Sequence, residues 1–105
     1  MAKKPSPYFA MHYYKTTDEI PVVVKDCKMD EQLKNRATQV AREMLFKALD
    51  EKTMAGEIKH IFQTEYGGSW HCVVGRVFSS SITASNKHYI YMYVGYEAIM
   101  LFKTP

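Results

Sequence analysis

The sequence predicts an α+β domain: two helices packed on an antiparallel β-sheet, in the chain order β-α-α-β-β-β-β. Three observations carry this expectation. Apolar residues recur at helical spacing from Leu33 to Tyr66, and at strand spacing from Trp70 onward. A β-branched run stands alone before the helices, at Val22-Val23-Val24. The chain has 105 residues; a chain of that size buries about two thirds of its unfolded surface, enough for one core and not two.

Residues 1–20 read as a separate, mobile N-terminal extension, because Pro5 and Pro7 discourage regular structure and Tyr8 to Tyr14 follows neither period. Residues 21–105 read as the domain. Pro21 to Lys25 is a strand with proline at its first position, where the missing N–H does least harm. Asp26 to Met29 is a connection, and Asp30 is an N-cap. Leu33, Ala37, Val40, Ala41, Met44, Ala48 and Leu49 then form the apolar stripe of a helix over about 31–49, with Lys34, Arg36, Arg42 and Lys47 largely off it. Met54, Ile58, Ile61 and Phe62 share one face of a second helix, which Gly67-Gly68 stops. Gly56 inside that helix costs up to ~1 kcal/mol relative to alanine, and reads as a close approach to the first helix. Four strands follow: Trp70 to Val74, Val77 to Thr83, His88 to Val94 and Tyr96 to Lys103.

The chemistry inventory is nearly empty. His71 and Cys72 are strand neighbours and point to opposite faces, so they make no nucleophile–base pair. Two cysteines far apart, without Cys-x-x-Cys or His-x₃-His, lack zinc spacing and build no disulfide framework, which sets a reducing compartment as the expectation. Cys72 reads as a core residue and Cys27 as a loop thiol. Gly67-Gly68 follows a helix instead of opening one, so no phosphate loop is present. Asp50-Glu51 sits at a helix junction, where capping is the plainer use. A net charge of +3 is too weak to imply nucleic acid, and the basic, aromatic tail (Lys3, Lys4, Tyr8, Tyr13, Tyr14, Lys15) reads as solvated. No apolar run approaches the ~20 residues of a membrane span, and Met1 to Pro5 has no secretion-signal core. The expectation is therefore a binding module: no enzyme, no cofactor, no metal, no nucleic acid and no membrane.

The positive signals lie in the sheet. Arg76 to Thr83 is a strand with one largely small, polar face, suited to accept another strand from a second subunit or a peptide. Tyr89, Tyr91 and Tyr93 alternate on one face of the next strand. Spacing alone leaves two readings of that stripe open, a wet edge of the core and a peptide platform.

Ser69-Trp70-His71-Cys72-Val73-Val74-Gly75-Arg76-x-Phe78, Lys87 to Gly95 and Ala98 to Lys103 together resemble the eight-kilodalton dynein light chain family, from about Val22 to Lys103. The resemblance implies a non-catalytic, strand-swapped homodimer in which the strand at Phe78–Thr83 crosses to the other subunit. Two grooves result, and each takes an extended segment, often with a Thr-Gln-Thr core, from a disordered partner such as a dynein intermediate chain. By position, the peptide groove would comprise Lys25, Asp26, Glu51, Lys52, Phe78, Ser79, Ser80, Ser81, Ile82, Thr83, Ala84, Ser85, Tyr91 and Tyr93. Glu51 and Lys52 match the pair that grips the ligand's glutamine. The dimer interface would comprise His71, Ser80, Ser81 and Thr83. The home implied is a microtubule-associated dynein complex in the cytoplasm, with an axonemal dynein or a dynein-independent hub as alternatives. The chain departs from the family at Val77 (usually Asn), at Ser79-Ser80-Ser81 (usually Gly-Ser-Tyr) and at Ala84-Ser85 (usually His-Glu), which marks a divergent member.

Overall fold

The computed structural model describes residues 14–47, 49–76 and 88–104. The strand expected over 77–83, the groove residues Phe78 to Ser85 with it, and residues 1–13 of the extension lie outside the described residues. The described elements are β1 (Val22–Cys27), α1 (Glu31–Phe46), α2 (Glu51–Tyr66), β2 (Trp70–Gly75), β3 (Tyr89–Val94) and β4 (Glu97–Lys103). The four strands form one antiparallel sheet in the order β1-β3-β4-β2.

Both helices start on an aspartate. The Asp30 carboxylate accepts from the Leu33 N–H at 2.8 Å and that of Asp50 from Thr53 at 2.7 Å, each satisfying a donor that the first turn leaves unpaired. Asp50 also explains why α1 ends before the expected residue 49: its backbone is extended, as an N-cap must be, so the first helix closes at Lys47. Gly67, with φ of 70°, closes α2 in a conformation that side chains disfavour.

Alternation along the strands divides the sheet into two faces. Ile90, Met92, Val94, Ile99, Leu101 and Trp70 point inward and pack with Ala37, Val40, Ala41, Met44 and Leu45 of α1 and Met54, Ile58 and Phe62 of α2. These side chains are buried, each worth about 1.5–3 kcal/mol for the large aliphatics. Phe62 and Trp70 meet edge-on, their centroids 5.0 Å apart, where α2 turns back into β2.

Three further expectations change. β1 runs on to Cys27, because a β-bulge between Val24 and Asp26 shifts the register and lets pairing with β3 continue; Cys27 is thus a half-buried strand residue rather than a loop thiol. Gly56 is exposed, and a Cβ there would meet nothing within 4 Å, so no close approach to α1 explains it. Residues 14–20 of the extension pack on the domain. Ile20 is fully buried, Arg42 Nε donates to its carbonyl at 2.9 Å, and Tyr14 packs against the core.

Candidate functional site

On the outer face of the sheet the same strands present a second set of side chains. The register lays Tyr89, Phe102 and His71 in one row across three strands, and Tyr91, Met100 and Val73 in the next. None of these belongs to the core that the helices cover. His71 stacks on Phe102 at 5.3 Å, Tyr91 meets Tyr93 edge-on at 5.8 Å, and Val73 is 44% exposed. A hydrogen bond to Tyr93 holds the Tyr91 phenol above its ordinary value. Rings with a polar tip suit a surface that is covered and partly wet in association. The tyrosine stripe is therefore an outer-face feature, opposite the helices.

At one edge of the described sheet, β2 pairs on one side only, with β4. Among the described residues its other side offers N–H and C=O groups to a further strand.

β1 contributes Lys25 and Asp26, both exposed, on the same outer face. The Lys25 ammonium lies 5.4 Å from the centre of the Tyr93 ring, a cation–π contact. Asp26 accepts from the Tyr89 hydroxyl, and that bond raises the phenol above its ordinary value. Of the expected groove residues, the structure thus gathers Lys25, Asp26, Tyr91 and Tyr93 on one surface. Glu51 and Lys52 stand elsewhere, in the first turn of α2, in the helical layer behind the sheet. A single chain does not bring the two sets to one surface.

No described residue offers a catalytic arrangement in their place. Cys72 points into the core, as expected, and burial pushes its thiol up to about 12, so it stays a protonated, unreactive group at neutral pH. His71, its neighbour, faces the opposite way. Among the described residues no three His, Cys, Asp or Glu side chains are grouped to hold a metal ion. The sequence reading missed Val73, Met100 and Phe102 as site residues. The signal was available: residues 71, 73 and 75 and residues 98, 100 and 102 alternate out of phase with the inward set.

Fold and surface define a small α+β domain with an aromatic outer sheet face and, among the described residues, an edge strand paired on one side. Solved structures share that fold. The dynein light chain-like domain of the Fasciola hepatica calcium-binding protein FhCaBP2 matches with a TM-score of 0.73 over 88% of this chain and 99% of that one, at 18% identity. The dynein light chain-like domain of CsTAL3 matches at 0.66, over 79% and 92%, at 14% identity. In sequence, a cytoplasmic dynein light chain of Emericella nidulans is 44% identical over 87 residues, covering 83% of this chain and 93% of the relative. The dynein light chain type 1 family matches residues 21–104, and the chain belongs to that family.

Proposed function

We propose that the chain is a non-catalytic, homodimeric light chain of a dynein motor complex that binds extended partner segments by β-strand addition. The observation that carries this reading is the division of the groove residues: Lys25, Tyr91 and Tyr93 lie on the outer face, whereas Glu51 and Lys52 lie in the helical layer. A second copy whose outer face packs against this one would place its Lys25, Tyr91 and Tyr93 beside the edge of this chain's sheet. Strand addition at that edge then supplies backbone hydrogen bonds, and the flanking side chains supply selectivity. The partner class, an intermediate chain or another disordered segment with a Thr-Gln-Thr-like core, follows from the family resemblance, as does a cytoplasmic, cytoskeleton-associated setting.

Sedimentation and titration calorimetry test both halves. The expected result is a particle of twice the chain's 12.2 kDa that binds one Thr-Gln-Thr peptide per chain. Lys52→Ala should weaken the glutamine-containing peptide by roughly 1 kcal/mol, the value of one ligand hydrogen bond, and leave a glutamine-free control unaffected. A monomer with no peptide affinity would overturn the proposal.

A further inference from the structure

β1 breaks strand alternation at one place. Val22 and Val24 turn inward and Val23 outward, and the bulge after Val24 then lets Lys25 and Asp26 stand side by side, both exposed on the outer face. Neighbouring opposite charges on one surface ordinarily satisfy each other. Here they do not. One Asp26 oxygen accepts from the Cys27 backbone N–H at 2.9 Å, and the other accepts from the Tyr89 hydroxyl. The Lys25 ammonium is drawn instead over the Tyr93 ring, which Tyr91 braces edge-on. Among the described residues, no carboxylate lies within ion-pair distance of it. The bulge therefore presents a cation on a preformed aromatic seat, with its nearest counter-ion already engaged.

We propose that Lys25 selects for an acidic residue in the extended segment the groove accepts, and that Tyr89 is the positioning residue that keeps Asp26 from neutralising it. The proposal rests on the peptide-binding reading above. Removing the Tyr89 hydroxyl releases one Asp26 oxygen beside Lys25, and the pair then satisfies itself. Buried hydroxyl and exposed ammonium are thus coupled through one carboxylate, although Tyr89 itself is only 5% exposed and has little surface to offer a ligand.

The test uses the full chain and fluorescent peptides with a Thr-Gln-Thr core, in which Asp, Ala or Lys is scanned through the flanking positions, read by anisotropy. At one flanking position, Asp should bind about fivefold tighter than Ala, the scale of one exposed charge pair, and the gap should shrink with salt. Lys25→Glu should invert the order, so that the Lys peptide binds best. Tyr89→Phe should bring the Asp-to-Ala ratio, read between the two peptides within that variant, close to one. Asp26→Asn keeps an acceptor for Tyr89 but removes the competing charge; it should preserve or widen the ratio, and it serves if Tyr89→Phe fails to fold. Charge-independent binding by the wild type would overturn the selectivity, and a ratio that survives Tyr89→Phe would overturn the positioning role. Absence of binding by every peptide would instead strike the peptide-binding reading on which the proposal stands.

Discussion

On the inner face of the sheet Ile90, Met92, Val94, Ile99 and Leu101 lie fully buried beneath two helices, while on the outer face the same strands present Tyr91, Tyr93, Phe102, His71 and Val73. These five inner side chains are aliphatic or sulfur-containing, and the chain covers them by itself. The outer set is mostly aromatic, tipped with hydroxyl and imidazole groups that keep hydrogen-bonding options when covered incompletely. One sheet thus has two unlike faces: its inside holds the fold together, and its outside is the surface that the proposed association would use.

The sharpest way to break that comparison is to damage each face in turn. Leu101→Ala should cost about 2–5 kcal/mol in urea unfolding, because a fully buried side chain leaves a cavity between sheet and helices. Val73→Asp, on the exposed outer face, should change unfolding of the separated chain by no more than about 0.5 kcal/mol, yet abolish the dimer in sedimentation. If the aspartate unfolds the chain as Leu101→Ala does, the outer face is core after all. A smaller effect sharpens the comparison from behind the helical layer. Gly56 is exposed with open space around its missing Cβ, so Gly56→Ala should raise stability by about 0.5–1 kcal/mol without affecting association. A loss of stability would mean that the far side of α2 is also covered.

The smallest expected effect is electrostatic. The Thr53 backbone N–H holds the Asp50 carboxyl below its ordinary value, and Asp50 is fully exposed. A lowered folded-state value means that the unfolded chain binds the proton more readily, so the cap's charge-dependent contribution is present well above pH ~4 and is lost as pH falls through the lowered value. Asp50→Asn, which caps without charge, should therefore melt slightly lower than wild type at pH 7, with the gap closing in acid. A gap that is flat from pH 7 to pH 2 would show that the charge contributes nothing there.

Much of this was legible in the residues, because hydrophobic period reports burial directly. The helical stripes, the two aspartate caps, the glycine stop at Gly67 and the opposed directions of His71 and Cys72 all rest on local rules, and the fold obeys them. What escaped is non-local. The bulge at Lys25 inverts the facing of Asp26 and Cys27, and strict alternation cannot anticipate an inserted residue. Ile20 and Tyr14 looked like part of a loose tail because their partners, Arg42 and the core beside Gly95, lie far along the chain. Lys25, Tyr91 and Tyr93 were placed in the groove by resemblance. Spacing alone puts Tyr91 and Tyr93 on one face, whereas the place of Lys25 beside them and their separation from Glu51 and Lys52 are structural.

The strand order β1-β3-β4-β2 has a further consequence, for the sequence of events in folding. β3 and β4 are joined by a tight turn through Gly95, whose positive φ of 57° fits a hairpin, and they occupy the centre of the sheet. β1 and β2 precede that hairpin in the chain, but each pairs with it and not with the other. Both must therefore wait, with α1 and α2 between them, for a template that comes later in the sequence. The helices form from local contacts in microseconds, whereas the two outer strands dock only after long loops have closed.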